Sequence, residues 1–500
     1  MKNIVPGILK TVARTIAYGI IGGVIALVIV FVLYLENRPD LSVWHTAVLT
    51  AEFTTESPAK SFENYLEIEA KLFKQLDDRV LGRVDPEDRR LFNRFHRGSL
   101  SDPDRWSPNW NRTFQMPADT PKIGVLLLHG MSDSPYSLRN AGRRLNEAGA
   151  WVVGLRLPGH GTAPAGLVTV KWEDMAAAVR LAMRHLQDKV GDRPLYIVGY
   201  SNGGALAVDY ALMSLEDTVL PPIEGIVLIS PAIGVTAVAA LAKWQAKLGR
   251  LIGRHKLAWN AILPEYDPFK YGSFAVNAGD QAYRLTKHID SRLKVLEGTM
   301  ALKRFPPVLA FQSVVDATVS TKAVVEGLFN RLPARGHELV LFDINRLRKI
   351  ERLLKNDPDP FIKKIRRNTN LPFAFSLVTN KNEESRNIVV RRKVPGDSET
   401  TEIPLKTAWP KGLYSLSHIA LPFPPGDPLY GRSEAFKSPG VHLGSFSLRG
   451  ERGLLQIPAT DMLRLRWNPF YAFMENRLFE FFRLKKNDFL SMGVIYQFSH

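Results

Sequence analysis

Short apolar runs alternate with amphipathic stretches along most of the chain, and these runs organise it. From Gly124 onward, GVLLLHG, WVVGLRL, LYIVG, GIVLIS and PVLAFQS are separated by segments of helical periodicity, and HELVLF follows them. Unbroken apolar runs of this length read as strands buried on both faces, and helices between such strands imply parallel neighbours. The predicted class is therefore α/β, a mostly parallel sheet flanked by helices, within residues 121–500. Before it, residues 36–120 carry a helical stretch from Phe62 to Leu81 and a Pro- and Trp-rich stretch from Pro103 to Pro121. They read as an N-terminal extension wrapped on that core.

A different kind of run occupies residues 15–35, where 21 positions pass without a charge. As a helix this segment extends about 31 Å, the thickness of a hydrocarbon core. It is longer than a signal-peptide apolar region, and ENRPD rather than a small-residue cleavage site follows it, so an uncleaved transmembrane anchor is expected. Lys2, Lys10 and Arg14 precede the run, whereas Arg38 beyond it sits between Glu36 and Asp40. That bias predicts residues 1–14 in the cytoplasm and the large domain outside it, periplasmic if the source is a two-membrane bacterium.

Composition narrows the chemistry. The 500 residues include no cysteine, which removes disulfides, thiolate metal sites and a cysteine nucleophile together. The net charge of +17 is dispersed and no nucleic-acid-binding motif accompanies it, so the expected partner of the basic surface is anionic lipid rather than nucleic acid. Residues 344–412 concentrate the excess, with 16 basic and 8 acidic side chains. There FAFSLVTN, NIVVRRKV and TTEIPL read as added strands of an insertion that either touches anionic lipid or is simply solvated. Within residues 233–300, VTAVAALAKWQAKLGRLIG reads as a basic amphipathic helix, suited to covering a site, lying on a membrane or packing in a cap. Near the C-terminus, RLFEFFRLKKNDFL reads as a packed helix, because charges interrupt it.

The candidate chemistry centres on GYSNG. An apolar strand runs into Gly199, Ser201 and Gly203 and then into small, helix-compatible residues. A serine raised from a strand end on a sharp turn needs neighbours without side chains, because strand and helix pack closely on either side of it. Ser201 is thus a candidate nucleophile, and the amide of Asn202 opens the next helix beside it. After GVLLL comes His129-Gly130-Met131-Ser132, whose Met131 amide is the second candidate oxyanion donor; His129 reads as a structural loop histidine. Asp316, just past PVLAFQS, is placed to orient an imidazole, with Asp343 as the fallback acid. In the chain order Ser, acid, His, the remaining histidines are His337, His418, His442 and His500. His337 opens a strand at the wrong end and His500 is terminal, which leaves His418, in the loop YSLSHIALPFPPGDPLYG, and His442.

Taken in order, LLLHGMSDSPYSLR, LRLPGHGTAPAGL with Trp172 and Asp174 after it, VGYSNGG, LISPAIG, VLAFQSVVDATVS and SLSHIALP resemble the α/β-hydrolase superfamily. More narrowly they resemble its monoglyceride lipase, lysophospholipase and carboxylesterase branch. The resemblance covers about residues 122–346 and 413–430. It implies a serine hydrolase with Ser201 as nucleophile, Asp316 as acid, His418 as base, and Met131 and Asn202 as oxyanion donors. It further implies that His160 is structural, that no cofactor or metal is needed, and that the substrate is a hydrophobic ester. The superfamily also contains proline-specific aminopeptidases, so amide cleavage is the alternative reaction, and a membrane-tethered binding module without catalysis is the alternative class. The 344–412 insertion departs from the family, which has a short connection there. Acyl chain length, headgroup and oligomeric state are not readable from the sequence.

Overall fold

The protein is described here by a computed structural model, which covers residues 5–234, 255–347, 357–397, 399–432, 438–444 and 455–485. Twelve strands are described: β1 (Phe114–Met116), β2 (Ile123–Leu128), β3 (Ala150–Leu155), β4 (Leu195–Tyr200), β5 (Gly225–Ile229), β6 (Trp259–Ala261), β7 (Phe274–Ala275), β8 (Val308–Ser313), β9 (Glu338–Phe342), β10 (Ala374–Asn380), β11 (Asn387–Lys393) and β12 (Thr401–Ala408). Ten form one sheet in the order β1-β3-β2-β4-β5-β8-β9-β10-β11-β12, and β6 pairs with β7 separately. From β3 to β10 all neighbours are parallel. The interior strands are buried along their whole length, as expected of a sheet covered on both faces.

The alternation of side chains divides this core in two. Leu126, Leu128 and Ile197 face a layer that includes Val179 and Leu186 of the helix Trp172–Val190, Leu206 of the helix Asn202–Ser214, and Leu285 and Ile289 of the helix Val276–Leu296. Val125, Leu127 and Val198 face the opposite layer, with Leu138, Leu145, and Met474 and Leu478 of the helix Tyr471–Phe481. Each strand thus carries two apolar faces, the physical origin of its unbroken apolar sequence.

Both additions to this frame join the sheet. The N-terminal extension contributes the helix Phe62–Arg79, whose first turn is capped by Ser61, and also β1, which pairs antiparallel with β3. The 344–412 insertion does not stand apart: β10 continues the parallel sheet beside β9, and β11 and β12 add an antiparallel ribbon to it. Of the cap segment, residues 235–254, which hold the expected amphipathic helix, lie outside the described residues.

The anchor expectation needs correction. The uncharged run lies in the helix Val5–Glu36, and Ile20, Ile21, Val24 and Ile25 on it are exposed. Among the described residues, however, no helix is long and apolar enough to cross a membrane. A single-pass anchor is therefore not supported.

Candidate active site

The sharp turn expected at GYSNG is present between β4 and the helix Asn202–Ser214. Ser201 has φ 53° and ψ −115°, in the left-handed half of the map that costs a side-chain-bearing residue energy. The turn is held from both sides: the Ser201 amide donates to the Ile229 carbonyl at 2.9 Å, and the Ser201 carbonyl accepts from Ala232 at 2.9 Å. The flanking glycines are there for space. A Cβ on Gly199 would lie 2.4 Å from the Gly203 carbonyl oxygen, and one on Gly203 would lie 2.1 Å from that of Leu128.

Asp316 and His418, 102 residues apart in sequence, meet beyond the carboxyl end of β8, with His418 Nδ1 2.8 Å from Asp316 Oδ2. Both side chains are shielded from solvent. The Asp316 carboxylate is saturated with donors. Its Oδ1 accepts from the amides of Thr318 (2.8 Å) and Val319 (3.0 Å), and its Oδ2 also accepts from Gln312 Nε2 (3.0 Å). Burial pushes this carboxyl up, but the hydrogen bond and charge of His418 and the two amides outweigh it and hold the group below its ordinary value. An ionised Asp316 fixes the proton of His418 on Nδ1, which leaves Nε2 as the basic nitrogen. The histidine loop is anchored to the sheet: Ser313 Oγ donates to the Leu416 carbonyl (2.9 Å), and the Tyr200 hydroxyl to that of His418 (3.4 Å).

The loop after β2 packs on the serine. A Cβ on Gly130 would be 3.1 Å from Ser201 Cβ, so Met131 follows directly at that contact. Neither the Met131 amide nor the Asn202 amide has an acceptor among the described residues. Behind this loop, His129 Nε2 accepts from the Leu157 amide at 3.0 Å and Nδ1 meets the Gly130 carbonyl at 2.9 Å, so the ring carries its proton on Nδ1. Burial holds His129 neutral, well below its ordinary value, and lowers His160 to about 4.

Other candidates are occupied elsewhere. Asp343 is bound by Arg346 and by the Thr379 hydroxyl. His337 Nδ1 accepts from the amide of Val308 at the amino end of β8, the opposite end of the sheet from Ser201. Three residues escaped sequence reasoning. Gln312 is visible only as the residue four before Asp316, and Glu52 and Glu69 lie in the extension without a motif around them. Among the described residues no three His, Asp or Glu side chains are grouped to hold a metal.

Part of the chain is similar to known proteins. Residues 119–344 match the family model described as serine aminopeptidase, S33, "Hydrolase_4". Over 123 residues the chain is 32% identical to a thermostable monoacylglycerol lipase of Bacillus sp. (strain H-257), a match covering 25% of this chain and 46% of that enzyme. The chain therefore spans less than half the length of that curated relative. Among solved structures, one from work on the metagenome-derived lipolytic enzymes LipS and LipT is 23% identical, with a TM-score of 0.36, covering 52% of this chain and 98% of its own. A monoacylglycerol lipase from Paleococcus ferrophilus is 19% identical, with a TM-score of 0.35, covering 46% and 89%. With its parallel sheet flanked by helices and the family match across β2 to β9, the chain has the α/β-hydrolase fold and is similar in part to a monoacylglycerol lipase.

Proposed function

We propose that the protein is a serine hydrolase that cleaves carboxylic esters, acyl lipids in particular. The observation that carries the reading is the 2.8 Å Asp316–His418 pair, whose imidazole ring lies 5.3 Å from that of Tyr200, the residue before a serine held at positive φ. In this reading Ser201 Oγ attacks the acyl carbonyl while His418 Nε2 takes its proton, and Asp316 stabilises the imidazolium that forms. The developing oxyanion is received by the unengaged amides of Met131 and Asn202. The imidazolium then protonates the departing alcohol, and water, activated by the same nitrogen, releases the acid and frees the serine.

The relatives named as monoacylglycerol lipases support an acyl ester as substrate. A second reading, amide cleavage, is favoured by the name of the matched family. We also place the helix Val5–Glu36 against a lipid surface, since its described apolar side chains point outward around the helix, among them Ile16, Tyr18, Val30 and Leu33.

The direct test is a fluorophosphonate probe, with the labelled residue located by peptide mass spectrometry, followed by turnover of matched acyl esters and aminoacyl-arylamides. Label on Ser201, loss of turnover by at least about a thousandfold in Ser201→Ala with an unchanged melting temperature, and preference for esters are expected. A folded Ser201→Ala protein that keeps its esterase activity overturns the assignment. Preference for arylamides moves the reaction to the amide reading.

A further inference from the structure

The superfamily match begins at residue 119, yet the loop carrying one proposed oxyanion donor is braced by residues well before it. Arg156, at the end of β3, is fully buried, and a buried guanidinium is tolerated only when its donors are matched. Its matches come from the extension. Glu52 Oε1 accepts from Nη2 at 2.8 Å and Glu52 Oε2 from Nη1 at 3.1 Å, while Glu69 Oε2 accepts from Nε at 3.1 Å. Glu52 Oε2 also takes the amide of Gly159 at 2.8 Å, and Arg156 Nη1 returns a bond to the His160 carbonyl at 3.0 Å. One carboxylate therefore fixes both ends of the turn 156–160.

That turn is joined to the oxyanion loop through the His129 ring, and also through Tyr271, whose hydroxyl donates to the Gly159 carbonyl at 3.5 Å and whose amide donates to the Ser132 carbonyl at 2.8 Å. The Leu157 amide donates to His129 Nε2, and the proton left on Nδ1 goes to the Gly130 carbonyl. The peptide unit whose oxygen is held in this way is the one whose nitrogen belongs to Met131. Rotation of that peptide would turn the Met131 amide away from the oxyanion, and the His129 bond opposes such rotation.

We infer that Glu52 is a positioning residue of the hydrolase: through Arg156, the 156–160 turn and His129 it sets the direction of the Met131 amide. The extension, on this view, completes the catalytic scaffold, and a core beginning at residue 119 would leave Arg156 without either of its carboxylates. The inference rests on the proposed serine hydrolase mechanism.

The test compares the full-length wild type with Glu52→Gln, which keeps the size and one acceptor but removes the charge, and with Glu69→Gln. A short-chain soluble ester gives kcat and KM, and a trifluoromethyl ketone, which forms an oxyanion on Ser201, reports the donor geometry. In Glu52→Gln, kcat is expected to fall about tenfold with KM within twofold, and ketone affinity to fall in parallel, because an oxyanion donor acts in the transition state and not in the ground state. Glu69→Gln, which leaves Glu52 bound to Gly159, is expected to change kcat less. A lower melting temperature with kcat and ketone affinity unchanged per labelled serine overturns the inference, as does an equal loss in both variants. If Glu52→Gln does not fold, Glu52→Asp is measured against the same outcomes. Absence of turnover and label in the wild type instead sinks the hydrolase reading itself, so the two failures are distinguishable.

Discussion

Ser201, Asp316 and His418 are each recognisable in the sequence because each sits where a local pattern changes. Ser201 ends an apolar run between glycines, Asp316 lies just past another run, and His418 lies in a loop punctuated by Ser and Pro. The residues that brace them are not recognisable in this way. Glu52 meets Arg156 across 104 positions, and nothing in a one-dimensional pattern announces a buried ion pair of that span. The same applies to Asp209, which lies in the helix after Ser201, almost fully buried and 3.4 Å from His288. Burial raises its carboxyl from 3.8 to about 6, against the pull of Arg292 and Arg180. An acid whose folded pKa is raised stays protonated in the folded state while the unfolded chain ionises, so stability falls as pH rises from about 4 to about 6 and stays lower above that. Asp209→Asn removes the titration. Its stability relative to wild type is expected to be more favourable at pH 7.5 than at pH 4, by on the order of 2–3 kcal/mol. Chemical denaturation at the two pH values measures this, and an equal difference at both would contradict it.

At the scale of elements, the strands of the parallel sheet were legible because burial on both faces leaves no polar positions in them. β1 was not: Phe114–Met116 is three residues long, lies among Trp and Pro, and exists because β3 offers it an edge. The added strands at the other edge were legible individually, but not their continuity with β9, which depends on register rather than composition. The turn between β4 and its helix makes a sharper prediction. With the Gly203 Cβ position 2.1 Å from the Leu128 oxygen, Gly203→Ala must push β2 and β4 apart or break the turn. A loss of about 3 kcal/mol or more and abolished fluorophosphonate labelling are expected, of the order of other strain and overpacking substitutions. A Gly203→Ala protein with wild-type melting and labelling would show that the close approach is relaxed in solution.

For the whole molecule, sequence and structure part company at the N-terminus. The uncharged run argues for a span, whereas among the described residues no helix is long and apolar enough to make one, and the proposed lipid contact rests on the exposed apolar side chains of the helix Val5–Glu36. Flotation with vesicles containing anionic lipid separates these. The full chain is expected to float and a chain lacking residues 1–36 to remain behind with its soluble-ester turnover intact; equal flotation of both would move the contact to the basic surface of the domain. The far edge of the sheet bears on how copies of the molecule meet. β12 is largely exposed and ends the ten-stranded sheet, an arrangement that ordinarily invites a neighbour's strand. In TEIPLKTA, however, Pro404 has no amide to offer, and Glu402 and Lys406 place opposite charges along the rim. An encounter between identical edges, which would otherwise propagate strand by strand, thus meets a boundary that resists fibre growth.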